Sequence, residues 1–286
     1  MGERVEIVEM GPRDGLQNEA RAISVADKVA LVDALSGVGF ARIEVASFVS
    51  ARWVPQMAGS GDVMAQIRRV PGVRYGALVP NVQGFEAALA AGADEVAVFA
   101  SASEGFSRAN INASIAESLE RFRPVMERAG AAGVPVRGYV SCVTDCPYDG
   151  AVAPDAVACV TGELRDMGCF EVSLGDTLGR GVPERVDAML SAVLERVEAT
   201  ALAGHFHESF GRALENVSVA LGRGVRVFDA SVAGLGGCPF APGAAGNVAT
   251  ESLAAFLAAS GYEHGLDMEH LGAAVDLARA LREEAT

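Results

Sequence analysis

Lysine is all but missing from this 286-residue chain: Lys28 stands alone, and the other 22 of its 23 basic residues are arginine. Any chemistry that needs a lysine therefore has one candidate. Although half of the residues are hydrophobic, no run approaches the roughly 18 consecutive apolar residues that a membrane-spanning helix needs. Positive charge is in deficit too, 37 acidic side chains against 23 basic ones giving a net charge of −14. Such a surface repels polyanions, so no nucleic acid and no membrane is expected as a partner. Cysteine is sparse and odd in number (Cys142, Cys146, Cys159, Cys169, Cys238), which gives no disulfide framework and fits a reducing compartment. The first residues run straight into Val5-Glu6-Ile7-Val8, without a signal or transit pattern. The expected location is cytoplasmic.

What is present is an alternation. Short β-branched runs are separated by Gly- and Pro-marked breaks from Ala-rich runs of helical period, the pattern of repeated βα units. Strands are expected over residues 5–9, 42–46, 73–79, 95–99, 134–141, 170–174, 201–207 and 226–231. Helices are expected over 24–36, 62–69, 82–91, 114–131, 154–167, 183–195, 212–223 and 248–259, with a further helical run over 268–284. Ser24-Val25-Ala26-Asp27 resembles a capping box with Asp in place of Glu, and Pro183 suits a first helical turn. Eight such units in one chain of this size give an α/β fold, a (β/α)8 TIM barrel with a short C-terminal helical extension. A doubly wound sheet is the alternative, since periodicity does not show closure. The expectation is a single catalytic domain over 1–286, with a barrel core over about 4–260 and a helical cap over about 261–286 that closes the barrel or meets another subunit.

Barrel chemistry collects at the C-terminal ends of the strands, and polar clusters fall there repeatedly. Strand 1 ends in Gly11-Pro12-Arg13-Asp14-Gly15-Leu16-Gln17-Asn18, strand 2 holds Glu44, and strand 6 ends in Gly175-Asp176-Thr177. His205 and His207 stand two apart at the end of strand 7, so both point to one face. Two imidazoles with a carboxylate such as Asp14 and a neutral oxygen such as that of Asn247 make a mixed N/O set suited to Mg²⁺ or Mn²⁺, with Zn²⁺ also possible. The competing reading is a polar barrel layer with no ligand. Arg13-Asp14 reads equally as an ion pair closing a loop, because two neighbours cannot both face inward from a regular strand; Gly11-Pro12 would have to swing them round. Cys238 stands in a Gly-rich turn, Gly234-Leu235-Gly236-Gly237-Cys238-Pro239, suited either to delivering a proton under a closing loop or simply to filling a tight bend. Cys142 and Cys146, spaced C-x3-C, make a poor zinc pair. Lys28 lies in the first expected helix, outside the strand wall, so an imine-forming aldolase is disfavoured and a metal-dependent carbon–carbon reaction survives.

Taken together, these segments resemble the hydroxymethylglutaryl-CoA lyase family within the metal-dependent barrel lyases and synthases. The resemblance is carried by Val8-Glu9-Met10-Gly11-Pro12-Arg13-Asp14-Gly15-Leu16-Gln17-Asn18-Glu19, Trp53-Val54-Pro55-Gln56-Met57, Gly138-Tyr139-Val140-Ser141-Cys142, Ser173-Leu174-Gly175-Asp176-Thr177 and the segment from Ser231 to Phe240. It implies that Asp14, His205, His207 and Asn247 hold the divalent cation, and that Arg13, Asp14, Glu44, Asp176, His205 and Cys238 are catalytic. The implied reaction is retro-Claisen cleavage of a 3-hydroxy-3-methylglutaryl thioester of coenzyme A to acetyl-CoA and acetoacetate. No organic cofactor is implied, since the CoA thioester is itself the substrate. Gln17, Tyr139, Arg108 and Asn110 are candidates for binding that substrate, Arg108 and Asn110 toward its phosphates. The proton of the substrate hydroxyl could pass to Asp14, Asp176 or His205, a carboxylate near His205 being favoured.

The chain departs from the family pattern at Glu208 (usually Asp), Phe210 (usually Tyr) and Ala245 (usually Ser or Thr). These leave the expected ligands intact and open the acyl group to other choices: citramalyl-CoA or a longer-branched 3-hydroxy acyl-CoA. A condensing synthase of the same superfamily and a non-catalytic acyl-CoA or metal sensor are further alternatives. A homo-oligomer is the expected assembly.

Overall fold

A computed structural model of the chain describes residues 2–19, 21–236 and 246–282. Eight parallel strands close on themselves: β1 (Glu6–Glu9), β2 (Arg42–Ser47), β3 (Arg74–Leu78), β4 (Glu95–Ser101), β5 (Val136–Ser141), β6 (Glu171–Asp176), β7 (Leu202–Phe206) and β8 (Val227–Ala230). Closure is explicit, since β1 pairs with β8 through Glu6↔Val227 and with β2 through Glu9↔Ile43. The protein is a TIM barrel rather than the doubly wound alternative.

Helices follow the strands and cover the barrel. α1 (Val25–Ser36) starts at Ser24, whose hydroxyl accepts from the Asp27 N–H at 3.1 Å. The Asp27 carboxylate accepts a hydrogen bond from the Ser24 hydroxyl instead of reaching back to the Ser24 N–H, so this cap is one-sided. Aspartate is one methylene too short for the reciprocal bond. α2 (Ser60–Gln66), α3 (Val82–Ala90), α4 (Glu104–Ile111) and α5 (Ile115–Ala132) follow, and it is α5 that carries the full capping box, between Ser114 and Glu117. α6 (Pro154–Asp166) and α7 (Pro183–Leu194) each begin on proline, whose missing N–H costs nothing there. α8 (Ala213–Gly222) and α9 (Thr250–Ala259) complete the ring. α10 (Met268–Arg282) packs on α1 and buries Leu271, Ala274, Val275, Ala278 and Leu281. Among the described residues no helix is long and apolar enough to cross a membrane.

Two pieces of the observed structure have no counterpart in the sequence pattern. α4 is a short helix between β4 and α5, and Asp145–Cys146 pairs with Gly150–Ala151 as a two-stranded hairpin beyond β5. The barrel interior is also more charged than alternation suggests. Arg42 pairs with Glu171 and Glu6, and Arg137 pairs with Glu171 at 2.7 Å and with Asp229 at 2.8 Å, all on strands and nearly all out of solvent. This column of ion pairs runs up the barrel axis to the mouth where the strands end.

Candidate active site

The Arg13-Asp14 problem is solved by a single wide turn. Gly11–Gly15 coils so that the Gly15 N–H reaches back five residues to the Met10 carbonyl at 3.0 Å, and Arg13 and Asp14 both turn toward the barrel mouth. The two glycines are required by space. A Cβ at Gly11 would meet Glu9 Oε1 at 2.6 Å, and one at Gly15 would meet Ser231 Oγ at 2.6 Å and Leu235 Cβ at 2.8 Å. Glu9 itself points out of the barrel and is fully buried. Its carboxylate accepts from the Gly11 N–H at 2.7 Å, the Val232 N–H at 3.0 Å and the Thr250 hydroxyl at 2.7 Å. Three segments meet on that one side chain, and burial raises its pKa to about 7.

Asp14, His205 and His207 converge at the mouth, one ligand atom from each lying within 4.8 Å of the others. The hydrogen bonds behind the rings set their tautomers. His207 Nδ1 faces the Thr177 carbonyl at 2.9 Å, and His205 Nδ1 faces the Asp229 carboxylate at 3.1 Å. Both partners only accept, so each Nδ1 carries the proton and each Nε2 offers a lone pair. Those two Nε2 atoms lie 3.2 Å apart, an arrangement of two lone pairs that a shared cation or proton relieves. A buried carboxylate behind one imidazole and a carbonyl behind the other is the support that metal-binding histidines use. Among the described residues this is the group of acids, histidines and cysteines placed to hold a metal ion, and its N/O donors suit a divalent cation.

Electrostatics in the site follow from burial and neighbours. Burial pushes the Asp14 carboxyl up, but Arg13, His205 and His207 together outweigh it and bring it down to about 2. Burial and the charge of His205 push His207 down to about 4, whereas His205 is raised because Asp229 outweighs its burial. Arg13 is buried between Asp14, at 2.6 Å, and Glu44, with its guanidinium 5.7 Å from the Tyr139 ring centre. Glu44 also accepts the Tyr139 hydroxyl, and Arg137 donates to that hydroxyl at 2.9 Å. A register shift between Glu44 and Ala46 against β3 marks where β2 leaves regular pleating at this contact.

The remaining expected residues divide. Asn247 bridges to His207 and donates from Nδ2 to Asp14 at 2.8 Å, so it stands in the cluster. Asp176 does not: it is fully buried, one oxygen taken by the Thr144 hydroxyl at 2.6 Å and the other by the Gly181 N–H at 2.8 Å. It organises the segment whose Thr177 carbonyl orients His207. Gln17 lies half-buried just beyond the Gly11–Gly15 turn. Arg108 and Asn110 sit exposed on α4, with Arg108 paired to Glu104 at 3.7 Å, and no contact brings them to the cluster. Cys238 and Ala245 lie outside the described residues. Glu208 does not approach the imidazoles through hydrogen bonds; its carboxylate accepts from the Ala213 N–H at 3.2 Å, a charge at the start of α8 that the helix dipole favours. The sequence reading missed Asp229, Arg137 and Glu171. The one signal was the i, i+2 spacing of Arg137 with Tyr139, which puts both on one face without naming a partner across the barrel.

A closed (β/α)8 barrel with two histidines and an aspartate converging at the C-terminal mouth is a scaffold for holding a divalent cation beside a buried arginine. The chain belongs to the HMGL-like family, whose model matches residues 4–277. It is 57% identical to the hydroxymethylglutaryl-CoA lyase of Pseudomonas mevalonii over 93% of this chain and 88% of that one. It is 58% identical to the 3-hydroxy-3-isohexenylglutaryl-CoA/hydroxymethylglutaryl-CoA lyase of Pseudomonas aeruginosa over 94% of this chain and 89% of that one. Its fold superposes on the crystal structure of the HMG-CoA lyase from Brucella melitensis with a TM-score of 0.98 and 61% identity, covering 99% of this chain and all of that chain.

Proposed function

We infer that this protein is a carbon–carbon lyase that cleaves 3-hydroxy-3-methylglutaryl-CoA to acetyl-CoA and acetoacetate with the help of a divalent cation. The observation that carries the reading is the convergence of Asp14, His205 and His207 beside Arg13 in a chain of that family. Mg²⁺ or Mn²⁺ is the proposed ion, held by Asp14, His205, His207 and the amide oxygen of Asn247. When bound, it supplies the charge that acidifies the substrate's tertiary hydroxyl and orients the substrate.

Cleavage breaks the C2–C3 bond. The hydroxyl on C3 loses its proton, the electron pair of the O–H bond becomes the second C–O bond of the new ketone of acetoacetate, and the C2–C3 electrons pass to C2 as the enolate of the thioester. Arg13, held in place by Glu44 and the Tyr139 ring, donates hydrogen bonds to the thioester oxygen on which that charge develops. Desolvation around a guanidinium already paired to two carboxylates keeps the donor fixed before reaction. Of the candidates for taking the hydroxyl proton, Asp14 and His205 stand in the cluster, and Asp176 spends both oxygens on Thr144 and Gly181; this supports the first two, with Asp176 as a positioning residue. Cys238 delivers the proton to C2, completing acetyl-CoA. Gln17 positions a substrate oxygen; Tyr139, expected to do the same, donates its hydroxyl hydrogen bond to Glu44 and accepts from Arg137, so it acts by holding the Glu44–Arg13 pair.

A longer branch at C3 is a second reading, favoured by the relative that bears the isohexenyl name at 58% identity. The test is to assay acetyl-CoA release by the purified protein with Mg²⁺ or Mn²⁺ from the methylglutaryl, isohexenylglutaryl and citramalyl thioesters. Release from the first supports the main reading, preference for the second shifts it to the longer acyl group, and release from none overturns it. The single catalytic domain, the homo-oligomeric assembly and the cytoplasmic location complete the proposal, with light scattering as the check on assembly.

A further inference from the structure

We propose that Trp53 and Arg52 form the platform on which the nucleotide end of a CoA thioester docks, a proposal that rests on the acyl-CoA reading of the site. Trp53 is the only tryptophan in the chain and is 81% exposed, the most open of the large hydrophobic side chains among the described residues. An indole left in water forgoes about 2 kcal/mol of burial, and nothing in the fold gains from leaving it there. It lies in the loop that follows β2, at the same end of the barrel as Asp14, His205 and His207.

The charge beside it is equally unspent. The Arg52 guanidinium lies 6.0 Å from the Trp53 ring centre, and among the described residues Arg52 makes no ion pair. Arg108, the arginine expected from sequence to meet the phosphates, is paired to Glu104 and lies near Glu117, so its charge is largely offset. In a chain of net charge −14, an unpaired arginine on the rim is where a phosphate finds attraction rather than repulsion.

The loop is also fixed relative to the reacting centre. The Trp53 and Val54 N–H groups both donate to the Ser50 carbonyl, at 2.9 and 3.1 Å, closing a tight turn. Three residues on, Gln56 donates to the carbonyls of Glu19 at 3.2 Å and Arg21 at 2.6 Å and accepts from the Ile23 N–H at 3.1 Å. The Lys28 ammonium, itself mostly buried, donates to the Gln56 carbonyl. One glutamine thus pins the Trp53 loop to the stretch of chain a few residues past Arg13 and Asp14. A ligand anchored on the indole has a set relation to a thioester at the cluster.

The chemistry matches one end of coenzyme A. Adenine presents a π face to the indole, an interaction of about 1–3 kcal/mol per base, and the 3′-phosphate and diphosphate suit a guanidinium. The platform contributes binding, remote from the bonds that break, so its loss belongs in KM rather than kcat.

Comparison of the CoA thioester with the corresponding pantetheine thioester, which lacks the nucleotide, isolates this term. Wild-type cleavage of both compounds confirms the lyase reading independently. Trp53→Ala and Arg52→Ala are then expected to raise KM for the CoA thioester about tenfold with kcat kept and the pantetheine thioester unaffected, while Trp53→Phe retains most of the wild-type value. The lone tryptophan gives a second readout: adenosine 3′,5′-bisphosphate is expected to quench its fluorescence saturably. An equal change for both thioesters, or no change for either together with no quenching, overturns the platform. So does an indole emission that is buried, insensitive to the nucleotide and dependent on protein concentration, which would mean that a second copy of the chain covers it. If the wild type cleaves neither thioester, the lyase reading fails, and the fluorescence titration still decides the platform.

Discussion

Glu9 shows how a residue can govern the site without touching it. Its carboxylate holds the N–H groups of Gly11 and Val232 and the Thr250 hydroxyl, and with it the turn that presents Arg13 and Asp14. Glu9→Gln keeps an oxygen for the two N–H groups and an NH2 for Thr250. Glu9→Ala strands the two buried N–H donors and the Thr250 hydroxyl, a loss of about 2–4 kcal/mol in unfolding free energy. Because burial raises the Glu9 pKa from 4.5 to about 7, the folded state binds this proton more tightly than the unfolded one. Its contribution is complete below pH 4.5 and is lost as pH rises to 7. Glu9→Gln should therefore gain on the wild type by about 3 kcal/mol between pH 4 and pH 8, which denaturant titrations at the two pH values measure. Asp229, fully buried between His205, Arg137 and Ser173, yields a sharper expectation. Asp229→Asn leaves one oxygen, which the Arg137 guanidinium claims, and turns an NH2 toward His205 in place of the acceptor that fixes its tautomer, so Mn²⁺ affinity measured by calorimetry should fall about 10–100-fold. The histidine pair was legible in the sequence because two imidazoles at i and i+2 announce one face. Asp229 and Arg137 were not, since an isolated charge in a strand looks the same whether it meets a partner across the barrel or water.

Among the elements, the Gly11–Gly15 turn decides most. Alternation places only one of Arg13 and Asp14 inward, and the structure escapes that limit by a turn closed over five residues instead of four. Gly15→Ala drives a methyl into Ser231 and Leu235, an overpacking that should cost about 1–3 kcal/mol. It should also depress kcat well beyond what the lost stability explains, measured at a temperature where the variant is fully folded. All eight strands were readable, because β-branched runs between Gly and Pro breaks fix both type and place. The hairpin over Asp145–Ala151 was not, having two residues per strand and no room for a period. α4 escaped because it buries only Phe106 and Ser107, too few apolar positions to mark a helical face. Asp176 shows the converse: its place at the end of β6 was legible, whereas the bonds of its carboxylate to Thr144 and Gly181 were not.

Across the whole molecule, charge is sorted by position. Acid dominates the composition, and inside the barrel Arg42, Arg137 and Arg13 meet buried acids in ion pairs that run up the axis to the candidate cation site. Breaking such a buried pair leaves a charge without its partner, so Arg137→Met should destabilise by about 3–5 kcal/mol, visible as a lowered denaturation midpoint. The scarcity of lysine also has a structural counterpart: Lys28, on α1 outside the strand wall, ties down the Gln56 carbonyl rather than offering an amine to substrate. We therefore place the proposed carbon–carbon cleavage at the Asp14, His205 and His207 cluster. The most direct test measures acetyl-CoA release from 3-hydroxy-3-methylglutaryl-CoA by chelator-stripped protein, before and after Mg²⁺ or Mn²⁺ is restored, alongside His207→Ala. The account predicts no release without the ion, recovery on its return, and at least a hundredfold loss (on the order of 10²) in the variant. Undiminished release from stripped protein, or from His207→Ala, would contradict it.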